Sequence, residues 1–335
     1  MEMDLETALS ACLGDETGTS SCLDDASPAR LGALDGWTFY GGKVRDNYTS
    51  PDGRTRVLIT TDRLSAFDRV ITTLPFKGQV LNALAKFWFD RTGEIAPNHV
   101  LDTPDPNVVV ARACRPLPVE IVVRAYLTGV TSTSIYTHYA RGERVFCGHA
   151  LPDGLAKNAR LPAPIVTPST KAEKGDHDQS LSRAEVLART GMDPRHFDEA
   201  ADRALALFDF GVRTAAERGL ILADTKYEFG IDADGKLRVI DEIHTPDSSR
   251  YWFARSYEER VGRGDEPESF DKEFVRRALI ALGFDGTGPI PALPNSVRLE
   301  AARRYIAALR TITGDEFSPH LAPPLPRIAA ALASL

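Results

Sequence analysis

Three charged residues alternate with other side chains in "LILADTKYEFG": Asp224, Lys226 and Glu228 fall at every second position after the apolar run Leu220–Ala223. A regular strand sends all three to one face. A little further on, "LRVIDEIHTPDSSR" supplies Asp241, Glu242, Asp247 and Arg250. Between the two stretches lies "IDADGK", and Asp-Gly flanked by apolar alternation signals a hairpin. A two-residue turn centred on Asp234-Gly235 predicts Glu228 directly opposite Asp241. Opposed residues hold their β-carbons about 4.5 to 5.5 Å apart, so the two carboxylates repel and one tends to stay protonated. A divalent cation removes that cost. Two carboxylates completed by phosphate oxygens and water are what Mg2+ prefers. Lys226, on the same face, would meet a phosphate or a substrate carboxylate. For an isolated D-x-K-x-E a solvent-facing strand is the commoner explanation. The buried approach through "LILA" and the opposed Asp241 weigh against it, because charges emerging from a buried strand pair are costly.

Other cations are spaced for anions. "GGKVRDNY" places Lys43 and Arg45 on one face of a strand that starts after Gly41 and Gly42. Small residues let a backbone approach a ligand, and the two cations would neutralise phosphates; alone the signal is weak, since a Gly-Gly turn with exposed basic residues is common. "LPVEIVVRAYLTG" carries an apolar strand into Arg124, which suits either a bidentate clamp on phosphate or carboxylate or an ion pair with Glu120 or another acid. "TPDSSR" adds two hydroxyls and Arg250 in a turn, and "TPSTKAEKGDHD" puts Thr170, Lys171 and Asp178 on a loop. His177 in that loop is more simply a capping or solvated residue. No histidine pair has zinc spacing, and no G-x-S-x-G occurs.

These residues need elements to position them. Residues 1–34 are acidic, with Arg30 the single basic residue, and read as a mobile tail in which "ETALSACL" is the one helical stretch. From Trp37 the texture is strand-like, with a turn at "SPDG" before the β-branched "TRVLITT". "QVLNALAKFWFDRTG" has helical spacing, and "NVVVARACRPLPVEIVVRAYLTG" gives two apolar strands joined by a proline-punctuated link. Residues 148–183 are rich in Pro, Gly and Ser and read as one long loop. "FDEAADRALALFDFGVRTAAERG" is an amphipathic helix ended by Gly219, and "SFDKEFVRRALIALGF" and "SVRLEAARRYIAALRTITG" are further helices. Strands first, then strands with helices, predict an α+β fold rather than a doubly wound parallel sheet. The expected parts are the tail 1–34, an antiparallel-sheet lobe 35–118, and an α+β lobe 119–335 that carries the C-terminal helices.

The 335 residues are 43% hydrophobic and carry a net charge of -7. An acidic balance argues against nucleic acid or an anionic membrane as the partner. The four cysteines, Cys12, Cys22, Cys114 and Cys147, include no C-x-x-C pair and read as free thiols of a reducing cytosol. With no long apolar run and no basic-then-apolar leader, a cytoplasmic protein is expected. Small molecules are the expected partners, and a monomer or small homo-oligomer the expected state.

Taken together, "GKVRDNY", "TTDRLSAFD", "LPVEIVVRAYLTG", "TPSTKA", "LADTKYEFG", "DEIHTPDSSRYW" and "DKEFVRR" resemble the SAICAR synthetase family, the phosphoribosylaminoimidazole-succinocarboxamide synthases of purine biosynthesis. The likeness runs from about residue 37 to 320. It implies a two-lobed α+β fold whose antiparallel-sheet lobe is related to ATP-grasp and kinase nucleotide lobes. The implied activity is an ATP-dependent carbon–nitrogen ligase. ATP phosphates would meet Gly42, Lys43 and Arg45, the adenine would lie by the backbone of Arg115–Glu120, and Mg2+ would sit on Glu228 and Asp241. The ribotide would be held by Asp224, Lys226, Arg124, Ser249, Arg250 and Thr131, with Lys171 and Asp178 closing over it. Asp224, Lys226 and Lys171 would serve the chemistry. Two positions depart from the family pattern: Val130 stands where a serine follows "LTG", and Gln179 where the loop's "HDE" would end. They leave room for a paralogue acting on another azole ribotide carboxylate. A small-molecule kinase and a non-catalytic nucleotide-binding module are the rival readings. A protein kinase lacks support, since no histidine-arginine precedes Asp224 and the full glycine-rich loop is missing.

Overall fold

This computed structural model describes residues 4–14, 21–67, 69–131, 134–170, 179–270, 273–333 and 335. The chain divides into two compact units, one of Met1–Phe87, His99–Ala113 and Phe270–Leu335, the other of Trp88–Asn98 and Cys114–Ser269. In chain order come α1 (Leu5–Leu13), α2 (Pro28–Leu31), β1 (Thr38–Gly41), β2 (Arg45–Thr49), β3 (Thr55–Thr60), β4 (Arg63–Ala66) and β5 (Arg69–Thr73). Next are α3 (Lys77–Thr92), β6 (Val100–Asp105), β7 (Val108–Arg112), β8 (Arg115–Pro116) and β9 (Val119–Tyr126). Then follow α4 (Ile135–Ala140), β10 (Val145–Phe146), β11 (His149–Ala150), β12 (Arg160–Val166), β13 (Ser169–Thr170), α5 (Arg183–Thr190) and α6 (Pro194–Glu217). The remainder is β14 (Leu220–Ile231), β15 (Leu237–Ile240), β16 (Ser249–Phe253), α7 (Ala254–Gly262), α8 (Glu273–Ala281), α9 (Asn295–Thr313) and α10 (Pro324–Leu332). Mixed helices and antiparallel sheets make this an α+β protein. No helix among the described residues is long and apolar enough to cross a membrane.

The first unit is built on an antiparallel sheet of order β1-β2-β3-β7-β6. Its β-branched centre strands bury Val57, Ile59, Val108 and Val110 with Tyr48, and Leu23, Ala26, Ile328 and Leu332 complete that core. The C-terminal helices, expected with the second lobe, belong to this unit. The N-terminal segment is also part of it. Asp4 caps α1 by accepting the Thr7 amide, and Ala8, Leu9, Cys12 and Leu13 are buried against α9. The Arg303 guanidinium grips the Glu6 carboxylate with both oxygens, at 3.0 and 2.6 Å. The acidic composition that suggested a mobile tail hides one apolar helical face, and that face docks. Asp62, buried, accepts the amides of Leu23 at 2.7 Å and Gly78 at 2.9 Å. Burial pushes its carboxyl up to about 6, against those amides and the charges of Lys77 and Arg327.

The glycine pair reads differently in three dimensions. Gly41 ends β1, Gly42 and Lys43 form the turn, and only Arg45 lies in β2, so Lys43 and Arg45 do not share one strand face. The Gly42 amide donates to the Arg45 carbonyl at 2.8 Å, and a β-carbon at position 42 would stand 2.7 Å from that oxygen. The close approach therefore requires glycine there.

In the second unit the twelve-residue β14 is central, paired with β9, β15, β16 and the short β8. Asp193 caps α6 and Pro194 opens it, with Ala204, Leu207, Phe208, Gly211 and Ala215 on its buried stripe. The stretch 148–183, expected as a loop, contains β11, β12 and β13. Strand β12 includes Pro162 and Pro164, which concealed it; it is an edge strand on β9, where a missing amide donor is tolerated.

Leu9 is fully buried. Leu9→Ala is expected to lower the first unit's stability by about 2 to 5 kcal/mol, read as a shift of the urea unfolding midpoint. An unchanged midpoint would mean that α1 is not docked in solution.

Candidate active site

Strand β14 gathers charge as its alternation requires, but its hairpin is one residue longer than expected. Asp232 accepts the amides of Asp234 at 3.0 Å and Lys236 at 2.9 Å. Gly235 takes the left-handed conformation, φ 75, and its amide closes on the Asp232 carbonyl at 3.0 Å. Aspartate turn bonding plus a left-handed glycine makes a three-residue turn in place of the two-residue one. Glu228 therefore pairs with Ile240, and Asp241 lies one position past β15, with φ 66. Glu228 and Asp241 are not directly opposed.

Two charge clusters occupy the face of β14 that carries Asp224, Lys226 and Glu228. In the first, Asp224 faces Arg124 of β9 and Arg250 of β16 in register. Arg124 Nη1 donates to Asp224 Oδ2 at 2.8 Å, and Arg250 Nη1 lies 3.3 Å from the same oxygen. Arg124 Nε is held by Thr167 Oγ1 at 3.0 Å. Burial lowers the Arg124 pKa, Asp224 opposes this, and the neighbouring Arg250 charge adds to it. Arg250 Nη1 is shielded from solvent without a hydrogen bond. Two guanidinium groups thus share one carboxylate, and the positive charge left over suits an anion.

In the second cluster, Lys226 Nζ donates to Glu228 Oε1 at 2.8 Å and to Glu120 Oε1 at 3.0 Å. Burial acts to lower the Lys226 pKa; the carboxylates of Glu228, Glu120 and Asp241 outweigh it and hold the ammonium above the ordinary lysine range. The field of Asp241 thus reaches this cluster from beyond the strand. Glu120, weighed as a partner of Arg124, instead serves Lys226, and Asp224 takes Arg124.

The other expected residues are dispersed. Ser249, buried, shares a hydrogen bond of 2.7 Å with Thr225; the two are paired on the face opposite to Asp224 and Arg250, so its hydroxyl is not beside the arginines. Thr131 is exposed, and its carbonyl accepts the Ser134 and Thr137 hydroxyls. Lys171, His177 and Asp178 lie outside the described residues. The residues flanking them are joined: the Thr170 amide donates to the Gln179 carbonyl at 3.0 Å and the Gln179 amide to Thr170 Oγ1 at 2.9 Å. The Gln179 side chain accepts from Arg189 at 2.8 Å, a structural use for the residue that departs from the pattern.

Sequence reasoning missed the layer behind the charges. His244, with φ 55, is fully buried and shares a 2.5 Å hydrogen bond with the Tyr227 hydroxyl. Its carbonyl accepts the Tyr251 hydroxyl at 2.8 Å, and Trp88 packs edge-on against its ring. A β-carbon on Gly211 of α6 would stand 2.5 Å from the imidazole. This packing sets the path of the chain from Asp241 to Ser249. The only sequence signal is the alternation itself, which puts Tyr227 on the back of β14.

Residues 38–288 match the family model described as SAICAR synthetase. The chain belongs to the SAICAR synthetase family. A Mesorhizobium japonicum protein named as a putative phosphoribosylaminoimidazole-succinocarboxamide synthase 2 is 54% identical over 283 residues, covering 84% of this chain and 90% of that protein. The phosphoribosylaminoimidazole-succinocarboxamide synthase of Legionella pneumophila strain Lens is 47% identical over 283 residues, 83% of this chain and 88% of that one. Among solved structures, the SAICAR synthase of Saccharomyces cerevisiae complexed with SAICAR aligns with a TM-score of 0.72 at 32% identity, covering 85% of this chain and 98% of that one. Within the SAICAR synthetase match lie all the β14 and β9 charges; α1, α2, α9 and α10 fall outside it.

Burial pushes the His244 imidazole from about 6.5 down to about 3. A base with a depressed folded pKa contributes its full stability above 6.5 and loses it as pH falls towards 3. The stability advantage of wild type over His244→Leu/Tyr227→Phe should shrink below pH 6.5 by at most about 1.4 kcal/mol per pH unit. Asp62 contributes in the opposite sense in both proteins, so the comparison between them isolates His244. Parallel urea-stability curves for the two proteins from pH 7.5 to 4.5 would refute the assignment.

Proposed function

We propose that this protein is an ATP-dependent ligase that joins the carboxylate of carboxyaminoimidazole ribotide to the amine of L-aspartate, giving SAICAR, ADP and phosphate. The observation that carries this reading is the Arg124–Asp224–Arg250 cluster, in which two guanidinium groups converge on one carboxylate oxygen and leave positive charge in excess, on the same strand face as the Lys226–Glu120–Glu228 cluster. The first is a receptor for a phosphate monoester such as the ribotide's. The second holds exchangeable charge of both signs where reacting carboxylates and phosphates meet. The yeast relative that carries SAICAR supports the reading.

The chemistry asks for this kind of surface. Oxide is a poor leaving group, so a carboxylate does not acylate an amine directly. Its oxygen attacks the γ-phosphoryl group of ATP, the bond to ADP breaks, and an acyl phosphate results. The unprotonated amine of aspartate attacks the acyl carbon, the carbon–oxygen bond breaks, phosphate leaves, and the amine's surplus proton passes to solvent. Arg124 and Arg250, oriented by Asp224, anchor the ribotide phosphate. Lys226, kept charged by its three carboxylates, stabilises the anionic charge that builds during phosphoryl transfer. The Gly42–Lys43 turn and Arg45 of the first unit are assigned to nucleotide phosphates, and the 171–178 segment with Lys171 and Asp178 to excluding water from the acyl phosphate.

Magnesium fits the donor set. Among the described residues no group of three or more His, Cys, Asp or Glu side chains is arranged to hold a metal. One or two carboxylates completed by phosphate oxygens and water is the usual Mg2+ arrangement, and Glu228 and Asp241 would supply the carboxylates. When bound, the ion would neutralise charge on the nucleotide phosphates.

A second reading rests on Val130, which is 62% exposed where the resemblance expects a phosphate-binding serine. It is a paralogue that ligates an amino acid to a different azole ribotide carboxylate.

A turnover assay offering carboxyaminoimidazole ribotide with aspartate should release ADP only when both are present. ADP release without aspartate, with a stable phosphorylated product, would identify a kinase instead. Turnover only with another azole carboxylate would favour the paralogue. Arg250→Met is expected to raise the KM for the ribotide by about ten- to a hundredfold, the worth of a charge-assisted bond to phosphate. Asp241→Asn should lower kcat by at least about a hundredfold; full activity in that variant would remove Asp241 from the metal-binding assignment.

A further inference from the structure

The Arg63 guanidinium at the start of β4 ties together two stretches of the first unit, the Gly42–Lys43 turn and the segment that begins at Asp24. Nε donates to the Lys43 carbonyl at 3.0 Å and Nη2 to the Gly42 carbonyl at 2.9 Å. Nη1 donates to the Asp24 carbonyl at 2.7 Å. Asp46 closes the arrangement, with Oδ1 2.7 Å from Nη2 and Oδ2 3.2 Å from Nη1. The same Oδ2 accepts the Ala26 amide at 2.8 Å. The pair is almost removed from solvent, the Arg63 side chain being 12% and that of Asp46 2% exposed. Next to Arg63, the Thr61 amide and hydroxyl both donate to the Val44 carbonyl, at 2.9 and 2.8 Å. Three successive carbonyls, those of Gly42, Lys43 and Val44, are therefore pulled towards Thr61–Arg63.

This fixes the opposite side of the turn as well. In a trans peptide the N–H points away from the C=O of the same plane. The Lys43 and Val44 amides belong to the planes whose carbonyls Arg63 holds, so both point away from Arg63. Successive amides presented in this way, next to a lysine, are the elements of an anion-binding turn. We propose that Arg63 is a positioning residue for nucleotide binding. It locks the Gly42–Val44 turn in a phosphate-receiving form and braces it on Asp24–Ala26, which lies ahead of the family match. The proposal rests on the assignment of that turn to nucleotide phosphates.

The test is a cycle of Arg63→Met, Lys43→Met and the double variant in the full-length protein. The KM values for ATP, the azole carboxylate and aspartate are measured together with the melting temperature. Arg63→Met should raise the KM for ATP at least tenfold and that for aspartate less than threefold, with Arg63→Lys recovering part of the loss. In the Lys43→Met background the same change should add less than threefold, because the turn it positions has already lost its cation. A KM for ATP within threefold of wild type in Arg63→Met would overturn the proposal, as would an effect that multiplies in full in the double variant. Should Arg63→Met not fold, Asp46→Asn carries the same test with a threefold or larger rise expected; failure of both to fold would assign the hub to folding alone and also overturn it. Calorimetric titration with ATP separates this proposal from the ligase reading. Wild-type protein that binds ATP but ligates nothing refutes the ligase, whereas equal ATP affinity in wild type and Arg63→Met refutes the brace.

Discussion

One strand face carries charges of alternating sign, neutralised from the neighbouring strands and, at Lys226, also by Glu228 of the same strand. Asp224 lies between two guanidinium groups, and Lys226 between two carboxylates. Such charges beside a buried strand would be costly if alone. Here the register of β9 and β16 against β14 brings in partners of opposite sign at the positions where they are needed. The consequence for binding is direct. On the ligase reading, an incoming phosphate or cation would replace a protein ion by a ligand ion, so little desolvation would have to be added at the moment of binding.

The back of the same strand supplies the rigidity. Tyr227 and His244 are fully buried and joined by a hydrogen bond, with Trp88 against the imidazole and Gly211 making room for it. Fixing His244 in a left-handed backbone conformation, uncommon for a residue with a β-carbon, bends the chain so that it leaves β15 at Asp241 and returns in β16 at Arg250. A neutral aromatic layer thus decides where the charged layer's outlying members sit.

How much of this the sequence showed depended on the range of the interaction. Alternation in β14 is a nearest-neighbour property, and it correctly grouped Asp224, Lys226 and Glu228. That Arg124 and Arg250 would converge on Asp224 follows from strand pairing, which one chain's periodicity does not specify; only the type and placement of the two arginines were visible. The hairpin register failed by one residue because Asp232 bonds its own turn, a side-chain effect that an Asp-Gly signal does not count. Ser249 followed Arg250 into the expected phosphate site only while the segment was read as a turn; as strand β16 it must face the other way. The docking of Leu5–Leu13 was not legible because composition averages over a helix whose single apolar face is what docks. The family motifs supplied what pairing could not, and they ended where the N-terminal brace begins.

The first unit is closed by residues from both ends of the chain, with α1 against α9 and Ile328 and Leu332 of α10 in the same core as Tyr48 and Val57. The second unit is almost one continuous stretch, Cys114–Ser269, with Trp88–Asn98. During synthesis on the ribosome, the second unit is complete long before α10 emerges. The core of the first unit is completed only when Ile328 and Leu332 of α10 join Leu23, Ala26 and Leu31 on the sheet. Chaperone demand and sensitivity to premature termination should accordingly concentrate on the N-terminal sheet, although it is made first.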